Sequence, residues 1–314
     1  MDVSVIIPLL NEEKNIPILY DELTQTLRKT GLAYELIFVD DGSTDSSLLI
    51  LENIQQNDYS IKIISLRKNF GQTAAMSAGF DMAGGDIIIA MDADLQNDPA
   101  DIPMLLAKIN EGADLVTGWR HNRQDPFFSR KLPSMIANRI ISFATGVHLH
   151  DYGCTLKAFK HEVIKTIKLY GEMHRFIPAI ASAMGVTIAE VKVNHRSRRF
   201  GTSKYGISRT LRVILDLMTV KFLLNYATRP IHVFGTLGFV SGSLGGLLAI
   251  ILTIQRQLYG IPLSDRPLLL LSVLLIFVGV QFVTIGLVAE MLARTYHESQ
   301  DKPTYYIRKI VRRD

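Results

Sequence analysis

Two long stretches without a formal charge constrain this chain more than any other feature. Ile231 to Ile254 covers 24 residues, and Pro267 to Ala289 follows after a polar break at 255–266. At ~1.5 Å per helical residue, each is long enough to cross a ~30 Å hydrocarbon core. His232 is the one titratable residue in the first run. Two such runs in succession are expected to be membrane spans rather than a buried helix pair. Gly238/Gly242 and Gly242/Gly246 are small-residue pairs that permit close helix contact, so self-association through the membrane is expected.

The chain before the spans has a different pattern. Val3–Pro8, Tyr34–Asp40, Ile61–Leu66 and Ile87–Asp92 are apolar runs of strand character, with Pro8 ending the first. Helical stretches at Ile16–Thr30, Asp45–Gln56 and Gln72–Met82 separate them. Ser43 or Thr44 is placed to cap the second helix. This alternation predicts a parallel sheet covered on both faces by helices. Further on, a helix near 102–111, a strand at 113–118, a polar loop at 119–130 and a helix at 132–145 are expected. An edge segment at 151–159, a helix ending near Gly185 and a strand at 188–193 complete the domain.

Three of the early strands end in polar turns: Asn11-Glu12, Asp40-Asp41 and Asp92-Ala93-Asp94. In open α/β sheets the carboxyl edge is where ligands bind. Carboxylates at i and i+2, with Gln96 beyond, suit a hard divalent cation such as Mg²⁺ or Mn²⁺ that shares a substrate's phosphates. The alternative is an acidic loop capping a helix at Asp98-Pro99. The chain has no G-x-x-x-x-G-K-[ST] loop and no G-x-G-x-x-G fingerprint, which disfavours a P-loop kinase and a dinucleotide oxidoreductase. A metal-bridged nucleoside diphosphate remains, with Asp41 placed to accept from a base or ribose.

Charge completes the picture. Between 191 and 230 stand nine Lys/Arg (Lys192, Arg196, Arg198, Arg199, Lys204, Arg209, Arg212, Lys221, Arg229) against one acid, Asp216. From Ile207 to Leu224 apolar residues recur at helical spacing, with the charges on the other face. A basic amphipathic helix just before a span points to an anionic membrane surface rather than nucleic acid. The basic residues 294–313 favour a cytoplasmic location for both ends. The single cysteine, Cys154, excludes an internal disulfide and fits a reducing compartment. Met1-Asp2 lead into the first strand without a basic flank, so no export signal is expected. Arg198 and Lys204 offer a second, cationic site suited to a lipid phosphate.

The residues resemble a known family. Val5-Ile6-Ile7-Pro8-x-x-Asn11-Glu12, the Val39-Asp40-Asp41-Gly42-Ser43-x-Asp45 turn and Met91-Asp92-Ala93-Asp94-Leu95-Gln96 look like family-2 glycosyltransferases of the GT-A fold. Arg198-x-x-Gly201-x-Ser203-Lys204-Tyr205 is similar to the dolichol-phosphate mannosyltransferase branch. The two spans most resemble bacterial bactoprenol-phosphate glucosyltransferases. The resemblance implies an α/β, Rossmann-like GT-A domain at 1–205 with a mostly parallel sheet. It also implies juxtamembrane helices at 206–230, two transmembrane helices within 231–293 and a cytosolic tail at 294–314. Pro8, Asn11, Glu12, Asp40, Asp41, Asp92 and Ala93 would line the nucleotide pocket. Asp94 and Gln96 would hold the metal, with Asp92 beside them. Asp151 would lie near the sugar. Arg130, Arg198, Ser203 and Lys204 would bind the acceptor phosphate.

The implied reaction moves a hexose, glucose from UDP-glucose, to undecaprenyl phosphate at the inner face of a bacterial inner membrane. Mannose from GDP-mannose is the alternative. A phosphate monoester has its second pKa near ~6, so the acceptor is already a nucleophile at neutral pH. One in-line displacement would invert the anomeric carbon. Asp94, Asp151, Arg198 and Lys204 would carry the catalysis by charge and orientation. Asp151 could equally cap a turn, and Trp119 could wall the sugar pocket or pack. Cys154 and His174 read as structural. A processive polysaccharide synthase would carry Gln-x-x-Arg-Trp and more spans, whereas the only Trp here follows Gly118. A membrane-anchored nucleotide-binding scaffold without turnover is the rival from outside the enzymes.

Overall fold

The computed structural model describes residues 1–121, 132–169, 173–197, 199–200, 231–263, 266–299 and 304–312. Arg130, Arg198, Ser203, Lys204 and the expected amphipathic helix at 207–224 lie outside the described residues. The chain divides into two units, 1–220 with 303–314, and 221–302.

The first unit is built on an eight-stranded sheet. Its strands are β1 (Val3–Leu9), β2 (Tyr34–Asp40), β3 (Ile61–Leu66), β4 (Ile87–Ala90), β5 (Leu115–Arg120), β6 (Lys157–Lys160), β7 (Ile188–Val193) and β8 (Ile307–Val311). Their order across the sheet is β7-β5-β6-β4-β1-β2-β3-β8. The apolar runs of β1 to β3 are buried over almost their whole length, as strands covered on both faces require. Helices α1 (Ile16–Thr30), α2 (Ser47–Gln55), α3 (Gln72–Met82) and α4 (Ile102–Asn110) supply those faces. Leu19, Leu23 and Leu27 of α1 pack in one core cluster with Val5 and Ile7 of β1. Among the described residues this unit also has helices α5 (Leu132–Thr145), α6 (His161–Thr166) and α7 (Ile177–Ala183).

Several boundaries differ from expectation. Pro8 does not end β1: the strand continues to Leu9, with Pro8 in register opposite Val39. Neither Ser43 nor Thr44 caps α2. Its N-cap is Ser46, without a side-chain bond, because the Ser43 and Ser47 hydroxyls accept instead from the Asn11 and Glu12 backbone N–H. The segment at 151–159 does not form an edge. Its residues from Lys157 onward are β6, inside the sheet and antiparallel to both β4 and β5. Residues 294–314 are more than a tail, since Ile307–Val311 close the far edge antiparallel to β3. That edge offers unpaired backbone groups, which outweigh the basic composition of the segment.

The antiparallel β6 matters for the site. β1 to β4 run parallel, so their carboxyl ends share one edge. β6 runs against β4, so Lys157, where it begins, sits opposite Ala90, where β4 ends. Residues 151–155 therefore arrive at the same edge as Asp92.

The second unit is a helix pair, α8 (Ile231–Tyr259) and α9 (Pro267–Ser299). Each contains a stretch long and apolar enough to span a membrane, Phe234–Tyr259 and Pro267–Ala289. The expected break at 255 is late: Gln255 and Arg256 continue α8, and the chain turns at Gly260, φ 64°. A Cβ on Gly238 would lie 2.6 Å from the Gly279 carbonyl, and one on Gly279 would lie 2.7 Å from the Gly238 carbonyl. The small residues thus seat α8 directly on α9. Gly238 is used within the chain, whereas a Cβ on Gly242 or Gly246 would meet nothing within 4 Å.

Candidate functional site

Three loops meet at the carboxyl edge of β1, β2 and β4, and each is fixed by its own hydrogen bonds. Asn11, in the left-handed region at φ 57°, gives its backbone N–H to Ser43 Oγ at 2.9 Å and accepts from Thr44 N–H at 2.8 Å. Asn is among the few side chains that tolerate this conformation. Glu12 accepts from the Asn15 amide at 2.5 Å. Pro8 and Ala93 are buried beneath these loops.

Asp40 and Asp41 serve the architecture. Asp40 is buried and accepts from Ser43 N–H at 2.9 Å and Ser65 Oγ at 3.3 Å. Asp41 accepts from Phe70 N–H at 2.7 Å and Gly71 N–H at 2.9 Å. These bonds draw the loop after β3 against the end of β2. Gly42, φ 76°, allows it: a Cβ there would stand 2.7 Å from the Lys68 backbone.

The Asp92–Asp94 turn is engaged differently. Asp92 accepts from two side chains, Gln72 Nε2 at 2.7 Å and Thr155 Oγ1 at 2.8 Å. Thr155 in turn accepts from the Asn97 amide at 2.8 Å. Burial, and then the neighbouring Asp94 charge, push the Asp92 carboxyl up to about 6. Asp94 accepts from Gln96 N–H at 3.1 Å across Leu95, which is held at φ 61°. A left-handed Leu is strained, and such strain persists where the surroundings over-determine the turn. The Asp98 side chain does cap a short turn, accepting from Ala100 N–H at 3.0 Å. The capping role at this turn therefore belongs to Asp98.

Asp151 is buried and paired. Arg120 Nε and Nη2 reach its two oxygens at 2.6 and 2.9 Å, a bidentate geometry that holds both planes. Its backbone N–H donates to Glu190 at 3.1 Å, and Gly153 N–H donates back to Asp151 at 3.0 Å. Lys157 is buried close by and donates to the Cys154 carbonyl. Burial lowers the Lys157 pKa, while the Asp151 and Asp92 charges oppose that shift. Cys154 is fully buried and its thiol is pushed up to about 11 by desolvation, so it is not a nucleophile. His174 is buried with Nδ1 2.7 Å from Thr73 Oγ1.

A cavity of about 530 Å³ opens beside the Arg120–Asp151 pair, lined among others by Trp119, Met135, Arg139 and His148. Trp119 both packs and walls it: its ring stacks on His150 at 4.0 Å and 17°. The chain beyond β7 returns to this region. Arg196 N–H donates to the Gln96 carbonyl at 2.9 Å, and its guanidinium pairs with Glu22 and Asp98. The described start of the basic segment is therefore anchored to the acidic turn.

The structure thus gathers Asp92, Asp94, Asp151 and the backbone of Gln96 at one edge, next to Asn11, Glu12, Asp40 and Asp41. Gln72, Arg120, Thr155 and Lys157 were not anticipated. Gln72, Arg120 and Thr155 are marked only by their pairing with distant acids and Lys157 by its burial, and no local motif encodes either. Among the described residues, no three His, Cys, Asp or Glu side chains cluster as a metal cage. Two adjacent carboxylates do fit a Mg²⁺ or Mn²⁺ that takes its remaining ligands from water and phosphates.

The family described as glycosyl transferase family 2 matches residues 4–168. Dodecaprenyl-phosphate galacturonate synthase of Rhizobium johnstonii is 44% identical over 314 residues, covering 99% of this chain and 93% of the relative. Undecaprenyl-phosphate 4-deoxy-4-formamido-L-arabinose transferase of Proteus mirabilis is 39% identical over 313 residues, covering 98% and 94%. Among solved structures, glucosyl-3-phosphoglycerate synthase from Mycobacterium tuberculosis, in complex with Mn²⁺ and uridine-diphosphate-glucose, superposes with a TM-score of 0.55 at 18% identity. That alignment covers 70% of this chain and 78% of the other, and it shows a shared GT-A-like fold.

Proposed function

The chain belongs to glycosyl transferase family 2, and from that premise we propose that it transfers a sugar from a nucleoside diphosphate to a polyprenyl phosphate at a membrane surface. The observation that carries this reading is the Asp92–Asp94 pair at the carboxyl edge, beside a buried Arg120–Asp151 pair and an open cavity. Two full-length relatives named for prenyl-phosphate sugar transfer support it.

Asp94 and Asp92 would hold a divalent ion, with Gln96 beside them, and that ion would supply positive charge against the departing diphosphate. Pro8, Asn11, Glu12 and Ala93 line the nucleotide side, and Asp40 and Asp41 shape it through the loops they tie. Asp151 is held in its bidentate pair with Arg120. It faces the sugar as a fixed negative group that steadies positive charge at the anomeric carbon. The acceptor phosphate is largely dianionic at neutral pH and needs no general base. Arg130, Arg198, Ser203 and Lys204 orient it for one inverting displacement.

The donor is a uridine diphosphate sugar. Its sugar is a uronate or a modified amino sugar, ahead of the glucose or mannose that motif resemblance alone favours, because the full-length relatives are named for such sugars. Segments on both sides of the helix pair join one sheet through β8, which supports an even number of crossings and one face for both ends, and the basic residues flanking the spans favour the cytoplasmic face. A donor series tests the reading. UDP-galacturonate, UDP-4-deoxy-4-formamido-L-arabinose, UDP-glucose and GDP-mannose are each incubated with Mn²⁺, undecaprenyl phosphate and the protein. Label entering the organic phase with the uronate or the formamido sugar is expected, and no extractable product from any donor would refute transfer.

A further inference from the structure

The cavity beside the Arg120–Asp151 pair has an uneven charge balance. Among its described lining residues the one carboxylate is Asp151, and Arg120 takes up both of its oxygens. The lining also holds Arg139 of α5 and the imidazoles of His121, His148 and His150. His150 is committed to Glu190, with Nδ1 2.6 Å from Oε2. His121 stands edge-on to Trp119 at 4.9 Å. Arg139 and His148 are exposed, and neither has an ion pair or hydrogen bond with a described residue. A guanidinium without a partner, in a cavity whose own acid is already paired, leaves a positive potential there.

The backbone fixes where these two side chains stand. α5 ends at Thr145, and the chain turns at Gly146, φ 74°. The Asn138 amide donates to the His150 carbonyl at 2.7 Å, and the Tyr152 hydroxyl donates to the Val147 carbonyl at 2.7 Å. These bonds tie the loop that carries His148 to the helix that carries Arg139. Trp119, stacked on His150 at 4.0 Å, gives the same cavity a fixed aromatic wall. A volume of about 530 Å³ is that of a small-molecule site.

We propose that Arg139 and His148 form a subsite that reads a carboxylate on the donor's sugar, which makes the transferred sugar a uronate. The inference rests on the transfer reading above and decides between the two sugar classes named there. Asp151 faces the sugar in that reading, and the subsite shares its cavity, so the group it reaches belongs to the sugar. A guanidinium binds a carboxylate through two parallel N–H bonds, and an imidazole adds a donor in either protonation state. A hydroxymethyl group or a formamide carries no charge and leaves the cation without a counterpart. Of the two sugars for which the relatives are named, galacturonate alone is an anion.

UDP-galacturonate and UDP-galactose test this, because they differ only in a carboxylate against a hydroxymethyl group. Each is given to full-length wild type and to Arg139→Gln with Mn²⁺ and undecaprenyl phosphate, and kcat/KM is measured. Wild type is expected to favour the uronate by about tenfold or more, and Arg139→Gln to lose about tenfold of that preference. His148→Gln should lose about threefold, and Arg139→Lys should recover part of the loss, since the charge remains without the fork. The preference is a ratio within one protein sample, so a partly misfolded variant does not alter it. A wild type that favours UDP-galactose, or treats the two alike, overturns the proposal. So does an unchanged preference in Arg139→Gln, including one where the acceptor KM rises equally with either donor, which would assign the guanidinium to the acceptor phosphate. Titration of the two donors into Mn²⁺-loaded wild type reads the subsite without turnover. Tighter binding of the uronate supports it, and equal affinity overturns it. No product from any donor would instead refute the transfer reading, and the titration would then decide the subsite alone.

Discussion

Two strand ends look alike in the sequence and are used in opposite ways. β2 ends at Asp40-Asp41 and β4 runs on to Asp92 and Asp94, each an apolar strand followed by an acid pair. At β2, three of the four bonds named above come from backbone N–H groups of the following loops. Those donors are part of the chain's path and cannot leave without unmaking it. At β4, Asp92 is held by the side chains of Gln72 and Thr155, which can turn to other partners. Its neighbour Asp94 is a like charge close enough to raise its pKa. Two like charges side by side oppose one another in the metal-free fold and favour a bound cation. On the proposed reading the first pair builds the site and the second does its chemistry.

Substitutions at the two ends should separate these roles. Asp94→Ala is expected to lower transfer by roughly 10³ or more, since several kcal/mol of transition-state charge stabilisation go with the ion. Its melting temperature should stay near wild type, and a variant that keeps activity would show that β4 holds no metal. Asp41→Ala should behave in reverse. Two backbone N–H groups lose a charged acceptor, at about 2–3 kcal/mol. Thermal melting should report that loss, with a raised donor KM and a kcat that survives. A kcat collapse in Asp41→Ala with unchanged melting would place Asp41 in the chemistry.

Proton linkage gives a smaller effect on the same comparison. Asp92 in the folded chain is pushed up to about 6, above the ordinary 3.8 of an exposed aspartate. As pH rises between those values the unfolded chain releases the proton first, so metal-free stability falls across that window and then levels. Asp92→Asn should flatten the fall. Added Mn²⁺ should stabilise the wild type more at pH 7.5 than at pH 5, because the proton competes for the same oxygens. Equal metal protection at both pH values would contradict this linkage. Smallest of all, Cys154→Ala should leave kcat/KM within about twofold and cost about 1 kcal/mol of stability for the buried sulfur it removes.

Much of this was legible in the chain. β1 to β4 are continuous apolar runs because both their faces are covered, and their lengths came out nearly as read. β6 and β8 did not declare themselves. Lys157-Ala158-Phe159-Lys160 is short and carries two lysines, and Ile307–Val311 is basic. Both exist because a neighbouring strand offers unpaired backbone groups, which only the folded sheet reveals. The acids of the site were visible as residue types at strand ends. Their partners were not, since Gln72, Arg120 and Thr155 meet Asp92 and Asp151 across 20 to 63 residues of chain. A strand-end acid can be read from sequence, but whether it is tied by backbone or by side chains can be read only from the fold.

The comparison between the two strand ends is tested most directly by Mn²⁺ binding in the presence of UDP, followed by electron paramagnetic resonance on the full-length protein. The account predicts that wild type and Asp41→Asn bind the ion and that Asp94→Ala does not. Binding by Asp94→Ala at wild-type affinity, or its loss in Asp41→Asn alone, would contradict it.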